Sequence, residues 1–78
     1  MLAVQCKMAR AAIGWGVRDL AKEASVSPDT IARLERGEEL KASTIEAIRS
    51  ALEAAGVEFI PENGGGAGVR LRKGFEIC

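Results

Sequence analysis

The segment from Gly16 to Gly37, GVRDLAKEASVSPDTIARLERG, constrains the fold most, because a strong helix start stands in its middle. Ser27 can accept a hydrogen bond from an orphan N–H of the turn that follows. Pro28, next to it, gives up only an N–H that has no helical partner at that position. A helix is therefore predicted from Pro28 to about Arg36, ended by Gly37. A shorter helix precedes it, roughly Val17 to Ala24, with Gly16 as a mediocre N-cap. Leu20, Ala21, Val26, Ile31 and Leu34 let both helices turn one apolar side inward, with Ala21 small where the two would cross. A tight turn joins the two helices.

The flanking sequence extends this pair into a bundle. Leu2, Cys6, Ala9 and Ile13 recur at helical spacing, so residues 2–13 read as a first amphipathic helix with Lys7 and Arg10 off its stripe. Gly14 stops that helix, and Trp15 reads as a lid on the core. Glu38 to Ala42 is a loop in which Leu40 dips inward. Ser43-Thr44-Ile45-Glu46 has the form of a capping box, with Ser43 as the cap. Ile45, Ile48, Leu52 and Ala55 form the inner stripe of the fourth helix, and Gly56 terminates it.

After Gly56 the apolar period changes from 3.6 to 2. Val57 and Phe59 alternate with Glu58, and Val69 and Leu71 alternate with Arg70 and Arg72, which predicts two short strands. Glu58 facing Arg70 or Arg72 would fix their register. The glycine-rich stretch from Pro61 to Gly68 lacks a following Gly-Lys-Ser/Thr and opens no helix, so it reads as a hairpin connection and not as a phosphate loop.

The Leu20-Ala21 pair, the turn Ala24-Ser25-Val26-Ser27, then Ile31, Leu34, Glu35 and Gly37 align without a gap with the lambda-repressor-like (phage repressor/Cro, xenobiotic-response-element) regulators. The chain resembles that family over roughly residues 2 to 60. Glycine is usual there where Ser25 stands, which implies that the turn needs a left-handed residue, a conformation that serine takes only at a cost of about 1 kcal/mol. The resemblance implies a mainly α fold, a helix-turn-helix bundle of about four helices with a short C-terminal pair of β-strands. It also implies that the second helix of the pair lies in the DNA major groove.

On that resemblance the base-reading residues are Ser27, Pro28, Asp29, Thr30 and Arg33. Pro28 offers apolar contact to a thymine methyl, Asp29 accepts from a cytosine or adenine amino group, and the Arg33 fork matches guanine O6 and N7. Phosphate anchoring falls to the N-terminus of the second helix, at Val17 and Arg18, and to Lys41, Ser43, Thr44 and Arg10. The family often has glutamine where Val17 stands, and valine cannot donate. Related repressors also pair an arginine of the first helix with a glutamate near the end of the recognition helix. Arg10 and Glu35 stand at the matching positions as a structural ion pair.

Seventy-eight residues make one small core of about 3–5 kcal/mol, which a partner subunit would help. Residues 1–56 are expected to be the DNA-binding domain, 57–73 a β-strand dimerisation extension, and 74–78 a flexible tail. Val57, Phe59, Val69 and Leu71 are assigned to a homodimer interface, because two short strands do not hold together alone and their open edges need cover. The competing picture is a hairpin folded back on its own fourth helix, with dimerisation through helices. Removing everything after Gly56 is then expected to leave a helical monomer.

Net charge is zero. The distribution is uneven: residues 1–22 carry +3, 23–62 carry −5 and 63–78 carry +2. Phosphate attraction follows the facing patch and not the total, although Glu38 and Glu39 beside the recognition helix should weaken non-specific binding. No histidine is present, Cys6 lies on a core stripe and Cys78 is terminal. No zinc framework, cofactor or catalytic group is implied. No apolar run approaches a membrane span, and Lys7 and Arg10 interrupt any leader-like start, so a cytoplasmic protein is expected. The reading is a dimeric transcriptional regulator on double-stranded DNA, with a two-fold-symmetric operator and a repressor-like mode of promoter occupancy. The alternative is a protein-interaction module on the same fold, such as a toxin-binding antitoxin.

Overall fold

A computed structural model describes residue 1 and residues 3–72. Leu2 and the tail predicted over 74–78 lie outside the described residues. Among the described residues four helices are followed by two strands: α1 (Ala3–Ile13), α2 (Val17–Ala24), α3 (Pro28–Glu35), α4 (Ala42–Ala54), β1 (Val57–Ile60) and β2 (Gly68–Leu71). The core draws on every helix and on β1. Cys6 and Ala9 come from α1, Leu20, Ala21 and Ala24 from α2, Ile31 and Leu34 from α3, Ile48 and Leu52 from α4, and Val57 from β1. Trp15, Val26, Leu40 and Ile45 pack around that centre, half-buried.

The junctions follow from local chemistry. Gly14 turns the chain out of α1 at φ +73°, and the Trp15 N–H returns to the Arg10 carbonyl at 2.9 Å. Ser27 caps α3 as its sequence demands, its hydroxyl oxygen accepting the Thr30 N–H at 3.2 Å. Ser25, between α2 and α3, has φ 58° and ψ 41°, the left-handed region in which a side chain is strained. Ser25→Gly is accordingly expected to raise stability by about 0.5–1 kcal/mol. Urea unfolding of the two proteins measures this, and a glycine variant no more stable than the parent would show that Ser25 carries no strain.

The start of α4 corrects the expected capping box. Ser43 is not a cap. Lys41 occupies that position with extended backbone and no side-chain bond, and its carbonyl accepts the N–H groups of Thr44 and Ile45 at 3.0 and 3.1 Å. Leu40 packs against the core and the helix winds directly from there, taking in Ala42, a strong helix former. Ser43 therefore already has helical backbone, which a cap does not have. Glu46 stands too far along to reach back.

The strands pair antiparallel, with Val57 opposite Leu71, Glu58 opposite Arg70, Phe59 opposite Val69 and Ile60 opposite Gly68. Glu58 meets Arg70, Oε2 to Nε 3.0 Å, one of the two partners that the alternation allowed. Val57, Phe59, Val69 and Leu71 share one face, and that face packs on this chain's own α1 and α4. Val57 is only 1% exposed, and Phe59 and Val69 lie against the core. Arg49 of α4 stands over the Phe59 ring, 5.8 Å from its centre. The sequence expectation had given this face to a second subunit, and three of its four residues are covered within the chain. Leu71 alone of the four stays exposed. A hairpin too weak to stand in water becomes stable once helices cover its apolar side.

Gln5 fixes the hairpin to α1. It is 5% exposed, and its Nε2 donates to the carbonyls of Ile60 and Gly68, each at 3.1 Å. Those two carbonyls belong to residues paired across the strands.

Candidate nucleic-acid interface

The first turn of α3 stands clear of the core. Ser27, Pro28 and Asp29 are exposed, while Thr30 and Arg33 are half-buried along the same side. The Ser27 and Thr30 hydroxyls are 2.9 Å apart and bonded to each other, so both are oriented. Ile31 and Leu34, on the opposite side of α3, are anchored in the core. The helix thus presents its polar residues from a fixed support.

A shallow cleft of about 410 Å³ runs between α3 and the start of α4, with Ser27, Thr30, Arg33, Lys41 and Thr44 among its lining residues. It gathers three side chains expected to read bases and two expected to hold phosphate. Glu39 also lines it, so the cleft is not uniformly basic. Ser43 is exposed in the first turn of α4. Val17 and Arg18 open α2, where first-turn N–H groups have no intrahelical acceptor. The Gly16 N–H just before them is taken by the Asp19 carboxylate at 2.8 Å. That carboxylate reduces the positive end of α2 as an anion site.

Arg10 is half-buried and turned toward Glu35. Its Nε and Nη2 donate to the two oxygens of Glu35 at 2.6 and 2.8 Å, the bidentate arrangement that a guanidinium and a carboxylate favour. Its Nη1 donates to the Trp15 carbonyl at 3.1 Å. One side chain of α1 thereby grips both the α1–α2 junction and the end of α3. The Cys6 thiol adds a third donor to Glu35, Sγ to Oε2 3.2 Å. Burial, then the hydrogen bond to Glu35, pushes that thiol up to about 12, so it stays protonated and unreactive. Burial drives the Glu35 carboxyl upward, but the hydrogen bonds from Arg10 and Cys6 and the charges of Arg10 and Lys7 outweigh it and hold the group below its usual range. With three donors engaged internally, Arg10 is a brace for α3 and poorly placed to serve a phosphate.

Two contacts escaped the sequence reading. Arg33 Nε is bonded to Glu38 Oε1 at 3.1 Å, and Arg36 reaches the other Glu38 oxygen. The five-residue spacing from Arg33 to Glu38, across a turn ended by Gly37, was the available signal. Gln5 is the other; a polar residue beside the apolar stripe of the first helix was its only mark. Among the described residues no group of His, Cys, Asp or Glu is arranged to hold a metal ion. No helix of those residues is long and apolar enough to cross a membrane.

A family model described as a helix-turn-helix domain matches residues 2–59, well over half of the chain. No curated protein matches it. The match spans all four helices and most of β1, and within it fall the Ser27-capped α3, the left-handed Ser25 turn and the brace from α1. The chain belongs to the helix-turn-helix domain family.

Proposed function

We propose that this protein is a sequence-specific DNA-binding transcriptional regulator, with α3 entering the major groove. The observation that carries the reading is the exposed polar side of α3 opposite a core-anchored apolar side, continued into the cleft that Lys41 and Thr44 share. Ser27, Pro28, Asp29, Thr30 and Arg33 read base edges, while Arg18, Lys41, Ser43 and Thr44, with the N–H groups at Val17, hold the backbone. Binding as a dimer would place two α3 helices on half-sites about 34 Å apart, one helical turn. Because three of the four apolar strand residues face this chain's own helices, the dimer we propose uses the open strand edges and the exposed Leu71.

Selection of bound duplexes from a random pool in moderate salt tests the reading. A two-fold-symmetric sequence should be enriched, and a pool with no enriched sequence would refute sequence-specific binding. On the selected site Arg33→Ala is expected to lose about 1–3 kcal/mol while barely changing non-specific affinity. Arg18→Ala should weaken all sequences alike and flatten the salt dependence. Equal losses on every sequence for Arg33→Ala would remove it from the base edge.

A second reading, a protein-interaction module such as a toxin-binding antitoxin, is favoured by one observation. Over Ser27 to Arg33 the only charges are Asp29 and an arginine already paired to Glu38. Such a surface is nearly neutral, and in that case the random pool should yield no preferred duplex.

A further inference from the structure

Three charged side chains at the end of α3 act as one unit. Glu38 Oε1 accepts from Arg33 Nε at 3.1 Å, and Oε2 accepts from Arg36 Nε at 3.1 Å and Nη2 at 2.8 Å. The Glu38 N–H donates to the Arg33 carbonyl at 3.1 Å, which ties the carboxylate to the helix end. Hydrogen bonds from Arg36, then from Arg33, hold the Glu38 carboxyl below its usual range, so it carries its charge throughout the neutral region.

The two arginines are held differently. Arg36 is engaged side-on, its Nε and Nη2 both donating to the single oxygen Oε2. Arg33 is engaged through Nε alone, and its two terminal nitrogens have no hydrogen bond within the described residues. Those terminal nitrogens form the end-on fork that fits guanine O6 and N7.

We propose that Glu38 is a positioning residue for sequence readout, which anchors Arg33 by its Nε so that the end-on fork is preset for a guanine edge, and which occupies Arg36 so that this cation is withheld from phosphate. The inference rests on the DNA-binding reading above. A preset fork loses less side-chain freedom on meeting the right base. A neutralised Arg36 adds less to the sequence-independent attraction of the phosphate backbone. The first effect widens the gap between the preferred site and all others, while the second lowers the affinity for every duplex alike, and together they account for acidic residues beside a surface meant for an anion.

The test compares the parent, Glu38→Ala and Glu38→Gln on the duplex selected by the parent and on a random duplex, each across a salt series. Glu38→Ala should bind the random duplex more tightly. The ratio of selected to random affinity should fall at least about fivefold, within the range that one base contact controls. The slope of log affinity against log salt should steepen by about 1 as Arg36 reaches a phosphate. Glu38→Gln, which keeps an acceptor without the charge, should fall between. In an Arg33→Ala background, Glu38→Ala should no longer lower the ratio, a result that a purely structural role would not give. A parent that selects no duplex overturns the DNA reading and this inference together. A parent that selects a site, with the ratio and slope unmoved by Glu38→Ala, overturns the inference alone. Circular dichroism melts of each variant establish that the helices are intact.

Discussion

Glu35→Ala is expected to leave much of the protein unfolded at physiological temperature. The Arg10 and Glu35 side chains are only 20% and 8% exposed, so removing the carboxylate strands a guanidinium with two of its donors unanswered. It also removes the acceptor of the buried Cys6 thiol. Breaking a buried pair by deleting one partner costs about 3–5 kcal/mol, and the partial exposure of Arg10 brings this to about 2–4 kcal/mol. A core of this size supplies only about 3–5 kcal/mol in total. Urea unfolding followed by circular dichroism measures the loss. A cycle with Arg10→Ala should show coupling beyond the roughly 0.5 kcal/mol of independent sites. Additive effects would mean that the pair adds nothing to the fold.

Acid should expose the same interaction. The folded carboxyl of Glu35 lies below its ordinary value of 4.5, so the unfolded chain takes up the proton first. The stabilisation is then fully present above about pH 4.5 and fades as pH falls through the folded value. Glu35→Gln should show a shallower loss of stability over that acid range, and a slope equal to the parent's would exclude Glu35 as its source.

A chain ending at Gly56 is expected to unfold, against the sequence expectation of a stable helical monomer. Val57 is fully packed in the core, and losing a buried valine alone forfeits about 1.5–3 kcal/mol. Phe59 and Val69 also cover the core. Gln5 would lose both carbonyls to which its buried amide donates, at about 1–3 kcal/mol. Together these match the whole stability of such a domain. Circular dichroism and a melting curve of the shortened chain decide it; a cooperative melt with retained helicity would make the hairpin an accessory.

Features written into neighbouring residues were legible in the sequence. The Ser27 cap, the stop at Gly14 and the pairing of Glu58 with one of the arginines at 70 and 72 each depend on spacing or on one residue's conformational limits, while the left-handed Ser25 was legible from the family pattern. Arg10 with Glu35 was reachable only because both stood at positions known from a family pattern. Errors came where a local pattern had more than one use. Ser-x-x-Glu at 43–46 signals a cap, but the packed Leu40 settles where α4 begins. Alternation at Val57, Phe59, Val69 and Leu71 tells which residues share a face and nothing of what covers that face. The grip of Gln5 on the hairpin and of Glu38 on Arg33 depends on how side chains meet after the elements have packed.

The amide of Gln5 joins the first helix to carbonyls 55 and 63 positions away along the chain. By contrast α2 and α3 find each other across a turn of a few residues. The cost of closing a loop grows with its length, and long-range pairings slow the search for the native state. Helix pair and hairpin can each form from near neighbours, but α1 has no finished seat until both are in place. The brace from Arg10 to Glu35 belongs to α1, so the hairpin that seats α1 also supports the orientation of α3. Under the function proposed above, the reading of DNA by α3 would therefore depend on a strand pair that packs on α1 and α4.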